Sequence, residues 1–101
     1  MSQRRGLPQR RRCENFNFNF NNLRHTVTVG YYPDGAIGEV FISFEKSGAP
    51  AEAIARDGAI LLSLALQYGT PLEIIKFAVT RDQRGAPTSI MGAVVDKLLE
   101  I

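Results

Sequence analysis

A chain of 101 residues, 45 % hydrophobic and 22 % charged, is long enough for one small domain with a single core and too apolar for wholesale disorder. Its net charge of +2 hides an uneven distribution, since five of the 12 basic residues and none of the 10 acids lie in the first twelve positions. The single cysteine (Cys13) and single histidine (His25) exclude an internal disulfide, a Cys-x-x-Cys redox pair and a histidine-rich metal site. The longest apolar run, "AILLSLAL", is too short to span a bilayer. No apolar segment follows the N-terminal arginines to make a secretory signal, so a cytoplasmic protein with no membrane partner is expected.

Residues 1–12, punctuated by Gly6 and Pro8, read as a basic, flexible arm ahead of one domain spanning 13–101. "NFNFNFNN" at 15–22 then alternates with the period of a strand, placing Phe16, Phe18 and Phe20 on one face and asparagines on the other. Asn21-Asn22 suits a tight hairpin, because asparagine tolerates the left-handed backbone such turns require. "RHTVTVGYY" alternates again, with Val27, Val29 and Tyr31 sharing a face. "PDG" at 33–35 is a second turn, and "AIGEVFISFEK" a third strand. The period then changes. Pro50 opens a helix that Gly69 should terminate; its second half is apolar on most sides, which predicts the most buried helix of the fold. "TPLE" predicts another helix from Pro71 to about Val79, with Thr70 as N-cap and Glu73 completing a capping box. After the polar connection "TRDQRGA", Pro87 opens a last helix with a core stripe of Ile90, Val94, Leu98 and Ile101, flanked by Met91 and Val95. The expected fold is α+β: a three-stranded antiparallel meander followed by three α-helices packed on one face of the sheet.

The phenylalanines read first as a core-facing strand, then as an interface or ligand surface, and last as an aggregation tract. Guanidinium groups match phosphate oxygens in a bidentate fork, so Arg10, Arg11 and Arg12 are candidate anion contacts, against the simpler reading of a solvated terminus. His25 has no motif placing it with Asp34, Asp57 or Ser89. Cys13 adjoins three arginines, which favour a thiolate, yet no base or resolving cysteine stands at a known spacing. "GYYPDGAIGE" leads into no helix and is no phosphate-binding loop. No catalytic residue, metal site or cofactor is called for.

The succession "LPQRRR", "GYYPDGAIGEVFISFEKSGA", "LLSLALQYGTPLE" and "TSIMGAVVDKLL" resembles the TSCPD domain, over roughly Leu7 to Ile101. That domain occurs near the C-terminus of adenosylcobalamin-dependent (class II) ribonucleotide reductases and as small stand-alone proteins. The motif that names the family, with its cysteine, is absent here; "PTSIMGAVVD" follows the reductase-tail pattern instead. The reductases continue to a redox-active cysteine pair and carry a large barrel, and this chain, ending at Ile101, contains neither. The resemblance therefore implies a non-catalytic accessory domain in deoxynucleotide metabolism, binding a protein partner such as a ribonucleotide reductase, or a nucleotide. It adds Arg81 and Arg84, from a Thr-Arg-containing loop, to the candidate anion contacts. The rival reading is a single-stranded nucleic-acid binder using the arginine arm and exposed Phe16, Phe18 and Phe20; an enzyme with Cys13 as nucleophile ranks third. A meander has raw edges and an open face, so a two-fold homodimer is expected, with the three phenylalanines as its candidate interface.

Overall fold

Asn21 and Asn22 both take positive φ, 51° and 63°, the backbone of a two-residue hairpin whose twist matches its strands. They join β1 (Cys13–Phe20) to β2 (Leu23–Tyr31), paired antiparallel without a break from Phe20↔Leu23 to Cys13↔Gly30. The second turn closes through Tyr32 and Gly35. Gly35 N–H donates to the Tyr32 carbonyl at 2.9 Å, Asp34 accepts from the Ala36 N–H at 2.9 Å, and Gly35 sits at φ 91°. It leads to β3 (Ile37–Phe44), giving the order β1-β2-β3 with a bulge between Gly30 and Tyr31. The computed structural model describes residues 3–44 and 50–101; the predicted third strand's last residues, Glu45 and Lys46, and the "SGA" before Pro50 lie outside them.

Three helices follow: α1 (Pro50–Gln67), α2 (Leu72–Ala78) and α3 (Ile90–Leu99). They gather on the sheet face carrying Val27, Val29, Val40 and Ile42. With Tyr31, Ala59 and Leu62, and with Val94, Val95 and Leu98 of α3, these form one buried core. No helix among the described residues is long and apolar enough to cross a membrane.

α1 does more than cover a face. Its Ser63 hydroxyl accepts from the Val40 N–H at 2.8 Å and shares its proton between the carbonyls of Val40 (3.1 Å) and Ala59 (2.8 Å). One turn on, the Gln67 amide donates to the Gly38 carbonyl at 2.9 Å. These two side chains stand where a fourth strand would pair, so the outer edge of β3 is sealed by a helix.

The helix ends depart from the sequence reading in instructive ways. Gly69, at φ 93°, terminates α1 as expected. α2 has Pro71 at its N-cap with no side-chain cap; the Pro71 carbonyl accepts from Ile74 and Ile75, so the Thr70–Glu73 capping box does not form. α3 starts at Ile90, three residues after Pro87. Ser89 caps it, accepting from the Gly92 N–H at 3.2 Å, while Pro87 is held in a bridge with Arg81. Ile101 falls beyond the helix and is 60 % exposed, so it is no part of the core stripe. α1 is not the most buried element either: Ile54, Ile60 and Leu61 stay more than half exposed, because its inner face is built from Ala55, Ala59, Leu62, Ser63 and Gln67.

Ser63→Ala strips the partner from two buried backbone groups of β3 and is expected to destabilise the fold by about 1–3 kcal/mol. Urea unfolding of both proteins, compared at their midpoints, measures this.

Candidate functional site

The arginine-rich segment is anchored rather than free. The Arg5 N–H donates to the Gln67 carbonyl at 2.8 Å, and Arg4 Nε donates to Gln67 Oε1 at 2.6 Å. Tyr32 then holds the segment from the sheet: its hydroxyl donates to the Arg5 carbonyl at 2.6 Å, and the Arg5 guanidinium lies 3.8 Å over its ring. Arg5 also pairs with Asp34 at 3.0 Å. The Asp34 carboxyl is held below the ordinary range, first by the Ala36 N–H and then by Arg5. Gly38 makes room for this path, since a Cβ there would lie 2.6 Å from both the Leu7 side chain and the Tyr32 ring. The partners of this segment, Gln67, Tyr32, Asp34 and Glu39, are all distant from it in sequence.

Five arginines were candidate anion contacts, and two of them are committed internally. Arg11 donates from Nε to Glu39 Oε1 at 2.6 Å, from Nη2 to Oε2 at 3.2 Å, and from Nη1 to the Pro8 carbonyl at 2.6 Å. The hydrogen bond to Glu39 raises its pKa further. Glu39 lies over Gly30, its cross-strand partner, where a Cβ would come within 2.5 Å of the carboxylate; a glycine is required for this pair. Arg81 makes a bidentate pair with Asp96 (2.6 and 3.1 Å) and donates to the carbonyls of Lys76 and Gly85, both at 3.0 Å. It ties the loop before α3 to α2 and α3. Arg84 is exposed in that loop; among the described residues only its backbone N–H is bonded, to Asp82 at 2.9 Å.

Arg10 and Arg12 are different. Both are exposed, and with Arg11 they line a groove of about 330 Å³ completed by Pro8, Tyr31, Tyr32, Pro33 and Gly35. Arg12 lies 4.1 Å over the Tyr31 ring and only 3.8 Å from the exposed Glu14 carboxylate. Arg10 has no ion pair among the described residues. Tyr31 is 3 % exposed, and its hydroxyl is buried without a hydrogen-bond partner among the described residues. Burial, then the nearby Glu14 carboxylate, raises its pKa, so the phenol is a donor at neutral pH. Arg81 and Arg84 do not line this groove. Tyr31 and Tyr32 are the groove residues that the sequence reading missed; "GYYPDG" was visible as a turn, but nothing local said that the arginines would lie on it.

The other candidates fall elsewhere. Phe16 and Phe18 are partly buried and pack against the core; Phe20 is partly buried at the hairpin end, outside that cluster. His25 is 2 % exposed, 5.5 Å from the Phe18 ring and edge-on to Phe44 at 4.4 Å. It meets neither Asp34, which pairs with Arg5, nor Ser89, which caps α3, and Asp57 is exposed on α1. Cys13 is exposed at the start of β1.

Against known proteins, the TSCPD domain model matches residues 4–100. The chain belongs to the TSCPD domain family. It is 38 % identical over 89 residues to a vitamin B12-dependent ribonucleotide reductase of Rhodopirellula baltica, covering 86 % of this chain and 9 % of that protein. A protein of the same name from Bradyrhizobium diazoefficiens is 34 % identical over 89 residues, covering 86 % and 7 %. One from Agrobacterium fabrum is 39 % identical over 71 residues, covering 70 % and 6 %. The chain thus spans less than a tenth of the length of these three curated relatives. No solved structure matches it. The span matched by the TSCPD domain begins at Arg4 and so includes the arginine segment.

The Arg81–Asp96 pair carries a pH signature. The hydrogen bond from Arg81 holds the Asp96 carboxyl below its ordinary value, so its contribution is complete above the unfolded pKa, about 3.9, and is lost as pH falls through the lower folded value. Asp96→Asn is expected to lower the melting temperature at pH 7, and the gap from the parent protein to close towards about pH 2. Thermal melts at both pH values check it.

Proposed function

We propose that this chain is a non-catalytic binding domain acting with a ribonucleotide reductase, and that the groove lined by Arg10, Arg12 and Tyr31 takes the phosphate groups of a nucleotide. One observation carries the reading. Two exposed guanidinium groups, those of Arg10 and Arg12, converge on a single groove that the Tyr31 ring also lines. Guanidinium groups supply the charge-assisted hydrogen bonds that phosphate oxygens accept. The tyrosine ring beneath Arg12 holds its plane in place, which lowers the ordering cost of binding. The similarity to part of the vitamin B12-dependent reductases is the reason for proposing a reductase as the partner. A base-stacking ladder on β1 is the weaker reading, because Phe16 and Phe18 spend their faces on the core.

A thermal shift assay tests this. A nucleoside triphosphate at about ten times its dissociation constant adds about 1.4 kcal/mol, a rise of roughly 5–10 °C for a domain of this size. The Arg10→Ala/Arg12→Ala variant should lose the shift. Arg81→Ala should melt lower but keep it, since Arg81 is committed to Asp96. If no nucleotide and no inorganic triphosphate moves the melting temperature, the anion reading fails.

A further inference from the structure

The two edges of the sheet are treated in opposite ways. α1 closes β3 with Ser63 and Gln67, whereas β1 has no neighbouring strand on its outer side among the described residues. The Arg12 carbonyl accepts from the Tyr31 N–H at 2.9 Å, so the even-numbered residues of this stretch turn their backbone groups towards β2. By alternation, the N–H and C=O groups of Asn15, Asn17 and Asn19 point outward, and all three residues are exposed. Natural sheets blunt such an edge with lysine, proline, a bulge or a very short strand. β1 has none of these. It is eight residues long, pairs without a register shift, and holds a single charge, Glu14.

We propose that the β1 edge is a self-association site, on which the β1 strand of a second copy of this chain pairs antiparallel about a two-fold axis to give a six-stranded sheet. The sequence of the edge is what makes a second copy the fitting occupant. Centred on Phe18, the pairing sets Phe18 against its own counterpart and Phe16 against Phe20 of the second copy, while Asn17 and Asn19 exchange the outward backbone hydrogen bonds. All six phenylalanines then lie on the helix side, where Phe16 and Phe18 already border the core, and cross-strand aromatic pairs stabilise such a ladder. The same pairing puts Asn15, Asn17 and Asn19 together on the opposite face, where Asn17 already accepts from the Thr26 hydroxyl at 2.6 Å. The area is modest. An eight-residue edge is roughly 26 Å long on a sheet about 10 Å deep, well below the ~800 Å² per partner of a standard interface. The dimer is therefore weak, with a dissociation constant between about 1 μM and 1 mM.

Sedimentation velocity on the full chain, from about 10 μM to about 1 mM, should show the monomer giving way to a dimer. Asn19→Pro removes an outward N–H that no internal bond uses and is tolerated on an edge; it should raise the dissociation constant at least tenfold with an unchanged far-UV spectrum. Asn17→Lys, which leaves the backbone intact but charges the edge, should do the same if the proline variant folds poorly. A chain that stays monomeric over the whole range overturns the proposal. So does a dimer that neither variant weakens, because it would then use another surface.

Discussion

A three-stranded sheet exposes unpaired backbone groups along two edges, and the whole arrangement depends on how α1 deals with one of them. Ser63 serves both the N–H and the carbonyl of Val40, and Gln67 serves Gly38. Buried backbone groups left without partners each cost free energy comparable to a lost hydrogen bond, so these contacts fix α1 in both position and rotation against β3. Once α1 is set, Ala59 and Leu62 must point into the core, and the remaining space over Val27 and Val29 is filled by Val94, Val95 and Leu98 of α3.

The same helix end organises the arginine segment. Gln67 bonds three ways: its amide nitrogen to the β3 edge, its side-chain oxygen to Arg4, and its carbonyl to the Arg5 N–H. The segment is thereby delivered to Tyr32 and on to Glu39 before it enters β1. The charges divide according to what they meet. Arg11 and Arg81 find acceptors with bidentate geometry and become struts; Arg10 and Arg12 remain exposed, Arg12 over the Tyr31 ring. The basic surface of the domain is thus a residue of its internal pairing, and that pairing decides which guanidinium groups stay exposed.

The exposed apolar residues of α1 follow from the same constraint. A helix spent on sealing an edge presents small and polar residues inward, so Ile54, Ile60 and Leu61 are left on its outer side. The apolar richness of "AILLSLAL" suggests burial on every side; with the edge contact setting the helix's rotation, Ala59 and Leu62 reach the core while Ile60 and Leu61 stay outside.

The sequence by itself determined the local geometry. Asn21-Asn22, Pro33-Asp34-Gly35 and Gly69 are residue types with few alternatives at positive φ or in tight turns, so both hairpins and the end of α1 were legible. Period-two and helical spacing fixed three strands and three helices, and the side of the sheet on which Phe16 and Phe18 lie. Helix starts at Pro71 and Pro87 were less legible, because proline fits both inside and just before a first turn, and the choice depends on Ser89 and on the Arg81–Pro87 bridge. Only the tertiary structure decided which charges are spent. Arg11 meets Glu39 across 28 residues and Arg81 meets Asp96 across 15, and Tyr31 and Tyr32 become the floor of a groove only when the N-terminal segment is laid on them. Such pairings depend on where distant chain segments pack, and no local pattern of residue types encodes that distance.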